Sequence, residues 1–99
     1  MVSFVQAGDL VQSRRGRDEG RLMFIVGRTE TGDLLLCDGR LRKTQSPKRK
    51  REKHVLWVSR PEGNVPEKLR QGEKVTNAEI RQAIAGLRPS EASLPLIGK

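Results

Sequence analysis

Residues 8–39, GDLVQSRRGRDEGRLMFIVGRTETGDLLLCDG, decide the fold class of this chain. Gly8-Asp9 is a turn signal, and residues 10–13 (LVQS) follow it as a first strand. Residues 22–27 (LMFIVG) form a near-continuous apolar run too short for a buried helix, and its β-branched Ile25 and Val26 favour a strand. Between these two strands lies an arginine-rich turn with Gly16 and Gly20 at its shoulders. Thr29 to Asp33 supplies turn chemistry, and residues 34–37 (LLLC) make a third strand. Asp38-Gly39 signals a two-residue type I′ hairpin turn, because Gly accepts positive φ without strain. That places a returning strand at residues 40–43. Strands this short and this closely spaced indicate a mainly β chain folded as a small antiparallel barrel.

Working outward, Val2 to Phe4 reads as a lead-in strand or a frayed end. Residues 44–54 (TQSPKRKREKH) contain no side chain suited to a core, and Pro47 opposes helix or central strand. This stretch reads as an exposed, flexible basic arm. Residues 55–58 (VLWV) are the closing strand. Asn64-Val65-Pro66 starts a short helix ending at Gly72. Thr76 followed three residues later by Glu79 is a capping box, which predicts a second helix with Ile80, Ala83, Ile84 and Leu87 on its apolar face. Pro89 ends it. The resulting division is a barrel over residues 1–60 with the arm at 44–54, a helical extension over 61–88 and a disordered tail at 89–99.

The 99 residues suffice for one small domain. A hydrophobic fraction of 34% and a mean hydropathy of −0.62 leave little core to share among segments. The formal net charge of +8 and pI near 10.6 favour a polyanionic partner. No apolar run approaches the ~20 residues that span a bilayer, and neither a signal peptide nor a lipidation cysteine is expected, so we expect a cytoplasmic protein without membrane contact. Cys37 is the single cysteine and reads as a small buried hydrophobe in a reducing compartment.

The residue inventory points away from catalysis. His54 is the one histidine and stands in the basic run, so no three- or four-ligand zinc set can be assembled. Neither a nucleophile elbow nor a phosphate loop is present. We therefore expect no catalytic residues, no metal, no cofactor and no small-molecule substrate. The chemistry lies in two basic clusters: Arg14, Arg15, Arg17 and Arg21 on the turn, and Arg42, Lys43, Lys48, Arg49, Lys50, Arg51 and Lys53 beyond it. Solvated charge runs are common, but two such clusters on one small domain, with Asp18, Glu19 and Glu52 as their internal acids, repel each other unless a polyanion intervenes. Arginine also brings a planar fork that bridges phosphate oxygens or stacks on an unpaired base. Aromatics for extended single-strand stacking are scarce: Phe24 reads as core and Trp57 as packed. Structured RNA recognised by shape and phosphate is the expected partner.

Gly8-Asp9-x-Val11, Gly16-x-x-x-Gly20-Arg21 and the strand Phe24-Ile25-Val26 resemble the KOW motif of ribosomal proteins and transcription elongation factors. Gly20 corresponds to the motif's defining glycine. Glu19 replaces a commonly basic residue, and Met23 stands where many members carry a second glycine. The latter is similar to the branch holding archaeal and eukaryotic large-subunit ribosomal protein fourteen and short bacterial KOW-domain proteins. Asp38-Gly39-x-Leu41-Arg42-Lys43, the Pro47-Lys48 arm and Thr76-Asn77-x-Glu79-Ile80-Arg81 resemble those bacterial proteins too. The resemblance implies an SH3-like barrel, a turn shaped by Gly16 and Gly20 and aimed at RNA, and association with ribosomal RNA or ribosomal proteins. KOW barrels also bind proteins, so a module docking on a ribosomal or transcription-elongation partner is the alternative.

Overall fold

A computed structural model describes residues 5–87; the expectations for Val2 to Phe4, Pro89 and the tail fall outside them. Five strands, β1 (Leu10–Ser13), β2 (Leu22–Arg28), β3 (Leu34–Cys37), β4 (Lys48–Lys50) and β5 (Val55–Ser59), form one sheet in the order β4-β3-β2-β1-β5. Every pairing is antiparallel. Two helices follow, α1 (Asn64–Arg70) and α2 (Asn77–Leu87).

The unbroken apolar run of β2 is explained by burial on both of its faces. Met23 and Ile25 join Val5, Val11, Leu34, Leu36 and Val55 in an inner core. Phe24 points the other way and packs with Leu10, Cys37, Leu69, Val75, Ile80 and Ile84, so the outer face of the sheet is covered by the helices. A strand buried on both sides loses the alternation that marks a half-exposed one. The C-terminal helices are thus part of the same globule as the sheet. The capping box is formed: Glu79 N donates to Thr76 Oγ1 (3.1 Å) and Thr76 N donates to Glu79 Oε1 (2.9 Å). Ile80 and Ile84 of its apolar face are buried, but Leu87 is 38% exposed, against expectation, because it lies beyond the outer core.

The sheet curls. Only residues 51–54, containing a 3₁₀ turn at Glu52–His54, join β4 to β5, which lie at opposite edges. In a flat sheet those edges would stand roughly 19 Å apart at about 4.8 Å per strand spacing, too far for a turn rising about 2 Å per residue. Lys50 Nζ indeed reaches Ser13 Oγ at 2.8 Å, from one edge strand to the neighbour of the other. Register shifts at Ile25/Gly27 and Leu10/Val11 supply local bends.

Two expectations are corrected at residues 38–54. Residues 40–43 are no strand, and Asp38-Gly39 is not a two-residue hairpin turn. Asp38 closes a wider loop, its Oδ1 accepting from the amides of Arg40 and Arg42 (both 2.9 Å) while its own amide donates to the Arg42 carbonyl (2.9 Å). The returning strand is β4, inside the stretch expected to be a flexible arm. Its ladder pairs Leu34 with Lys50, Leu35 with Arg49 and Leu36 with Lys48. The backbone needs no apolar side chain to pair at a sheet edge, and charged residues suit an edge. Pro47 precedes the strand and so costs it no ladder bond.

Candidate nucleic-acid interface

The turn after β1 is held from beneath by a buried carboxylate. Ser13 accepts from Gly20 N (2.8 Å), and a 3₁₀ turn at Gly16–Asp18 fills the span. Gly16 (φ +80°) and Gly20 (φ +84°) both take the left-handed conformation expected of turn-shaping glycines. Asp18 is only 3% exposed; Arg42 donates to it through Nε (3.1 Å) and Nη2 (2.9 Å), and Arg21 Nε stands 3.6 Å away. Burial would raise the Asp18 pKa, but the hydrogen bonds and charge of Arg42, with the charges of Lys50 and Arg21, outweigh it and hold it below the ordinary value. Arg21 also donates to Asp38 Oδ2 at 3.2 Å.

The expected site residues therefore divide in two. Arg21 and Arg42 are half-buried partners of Asp18 and Asp38, so they build the turn more than they present it. Lys50 is likewise committed, donating to Ser13 Oγ and to the Arg15 carbonyl, each at 2.8 Å. Burial, with Lys48 and Arg42 nearby, lowers its pKa despite Asp18. Arg49 pairs with Asp33 at 3.6 Å but stays 66% exposed. The side chains of Arg14, Arg15, Arg17, Lys43, Lys48, Arg51 and Lys53 make no ion pair among the described residues.

Arg15 and Lys48 to Arg51, more than thirty residues apart in sequence, line one recess of about 350 Å³. A second recess beside it, lined by Arg14, Arg15, Lys53 and His54, is tied down by Arg14 N donating to the His54 carbonyl (2.8 Å). Arg17 is exposed on the turn and Lys43 on the loop; neither lines these recesses. His54, part of the basic surface on sequence alone, lines both recesses. Its desolvation, then the charges of Arg15, Lys53, Lys50 and Arg51, hold its pKa below the ordinary 6.5. Its place in the basic run was the one signal pointing to it.

Trp57 is corrected: it is 38% exposed, with its indole Nε1 donating to Asp9 Oδ2 at 3.1 Å, and so is fixed at its polar end without being buried. Leu56 and Val58 beside it are 50% and 41% exposed on the same edge strand. Cys37 is fully buried, and burial followed by the charge of Asp38 pushes its thiol up to about 11. Among the described residues no group of three or more His, Cys, Asp or Glu could hold a metal ion, and no helix is long and apolar enough to cross a membrane. No protein-family model matches the chain, and no curated protein matches it significantly.

Proposed function

We propose that this chain is a non-catalytic RNA-binding protein that grips the phosphates of structured RNA at the recesses around Arg14, Arg15 and Lys48 to Lys53. One observation carries the reading: two basic segments distant in sequence are brought edge to edge, with Lys50 Nζ hydrogen-bonded to the Arg15 carbonyl. Holding like charges together costs free energy that a bound polyanion offsets, and each phosphate these cations neutralise releases counterions condensed on the RNA. The curled sheet, the short β4–β5 link and the glycine-shouldered turn also support an SH3-like barrel of the KOW type. From that resemblance we take large-subunit ribosomal RNA as the target and the ribosome as the cellular setting.

The test is a binding titration of structured RNA across salt concentrations. Log affinity should fall linearly with log salt, and replacing Lys48, Arg51 and Lys53 with Gln should flatten the slope by roughly 0.7–0.9 for each phosphate that is no longer neutralised. No binding at low salt, or a slope near zero, sinks the proposal. A second reading, docking on a ribosomal or transcription-elongation protein, is favoured by the apolar edge strand Leu56-Trp57-Val58. Sedimentation with ribosomal particles separates the two: a charge-held complex is stripped at high salt, and an apolar one persists.

A further inference from the structure

A third recess lies at the other end of the same turn, beside Arg21, and is built from different chemistry. Gly39 (φ +79°) has no Cβ, and one placed there would overlap the Asn77 carbonyl oxygen and crowd Arg81, so the 38–42 loop lies directly against the start of α2. Arg81 fixes that approach by donating to the Gly39 carbonyl at 2.7 Å. Between loop and helix an open groove of about 220 Å³ remains. Leu22, Ile84 and Ala85 form its apolar wall, and Arg21, Arg40 and Arg81 its rim.

Three arginines line this groove against one carboxylate, Asp38. Asp38 is 6% exposed and already receives the Arg40 and Arg42 amides and the Arg21 guanidinium. The Arg40 side chain is exposed and has no hydrogen-bond or ion-pair partner among the described residues. An apolar wall facing arginine forks suits a flat ring with an acceptor edge and an attached phosphate. The volume falls below the ~300 Å³ of sites for drug-sized ligands, leaving room for one ring system. A base stacked inside a duplex cannot enter it.

We infer that this groove receives a single unstacked nucleotide of the bound RNA, its base against Leu22, Ile84 and Ala85 and its acceptors on Arg40 and Arg81. The inference rests on the RNA-binding reading and adds to it a preference for RNA with an unpaired loop or bulge. Arg14 and Arg15 serve the phosphate recesses at the start of the turn, and Arg21 serves this groove at its end.

The test compares a hairpin bearing an unpaired loop with a blunt duplex of equal length and charge, both titrated against the full chain by fluorescence anisotropy. The wild type should prefer the hairpin by about fivefold, the lower end of what a base stacked even on an aromatic contributes. Ala85→Leu places a good helix former at an exposed helix position and fills the groove. It should bring the hairpin down to the duplex affinity without altering the duplex salt slope. Arg40→Gln should cut the hairpin preference as well, and unchanged thermal unfolding of both variants excludes a folding defect. A wild type that binds hairpin and duplex equally, or an Ala85→Leu variant that keeps the preference, overturns the inference while leaving phosphate binding intact. A wild type that binds neither RNA fails both readings.

Discussion

Asp18→Asn is the most informative single change in this molecule. The carboxylate is 3% exposed and is the point where Arg42 and Arg21 converge. The amide keeps the shape but loses the charge, and its NH₂ faces donors that have no use for it. Removing one partner of a buried ion pair typically costs about 3–5 kcal/mol. Arg42 and Arg21 keep 29% and 31% exposure, so water takes over part of the missing interaction, and we expect about 2–3 kcal/mol. For a domain of this size that is a large share of roughly 5–15 kcal/mol, and a fall in melting temperature of roughly 10–20 °C.

Urea unfolding followed by the fluorescence of Trp57, the single tryptophan, measures it. The midpoint should fall with the slope unchanged. Because the folded pKa of Asp18 lies below its unfolded value, the stability it contributes is present above that unfolded value and is lost as pH falls through the folded one. Wild type and variant should therefore converge in acid. Combining Asp18→Asn with Arg42→Gln should cost less than the sum of the two single changes, since the second removes the cation that the first leaves unpaired. A variant within about 0.5 kcal/mol of wild type at neutral pH would refute the reasoning, because it would mean that the buried carboxylate carries no net charge pairing.

Three further outcomes follow from the same geometry. RNA phosphates should raise the depressed pKa of His54, so affinity should increase as pH falls through the raised, RNA-bound pKa and level off below the depressed free one, with at most one proton taken up, and His54→Gln should abolish that dependence in anisotropy titrations. Gly39→Ala, with left-handed backbone and overlap against α2, should cost roughly 2–4 kcal/mol by urea unfolding, whereas Gly20→Ala, with nothing within 4 Å, should cost only about 1–2 kcal/mol of backbone strain. Cys37, buried and with its thiol pushed up to about 11, should react with a disulfide reagent only as fast as the protein opens, and rapid labelling under native conditions would contradict its placement.

Local chemistry made much of the sheet legible. Residues 10–13 and 34–37 are strands with the bounds that their turn signals predict, and the capping box at Thr76 starts α2. What escaped was long-range. Asp9, Asp18 and Asp38 sit beside or between glycines and read as turn formers or compensating acids, yet each is nearly fully buried and binds arginines. Their partners Arg60, Arg42 and Arg21 lie 51, 24 and 17 residues away, a relation that no local pattern carries. Three of the expected RNA ligands, Arg21, Arg42 and Lys50, are therefore engaged in internal contacts, while Arg40 and His54 line recesses. The strand at Lys48–Lys50 was hidden for a related reason: it contributes backbone to the sheet but no side chain to the core.

That last difference alters how a polyanion would be held. A disordered arm must be ordered on binding, at a cost that lowers affinity for the surface it covers. In this fold the backbone of Lys48 to Lys50 is already fixed by its ladder with β3, and the Arg15 carbonyl is pinned by Lys50. The cations on either side consequently have set separations, and only their side chains remain to be ordered. Fixed separations match some phosphate arrangements and exclude others, so the selectivity of such a surface comes from shape. Part of the repulsion between its charges is met within the fold by Asp18, which acts on Arg21, Arg42 and Lys50 together, and by Asp33, which pairs with Arg49. The carboxylate that makes the turn stable is thus also what allows the basic segments to stand side by side before any ligand arrives.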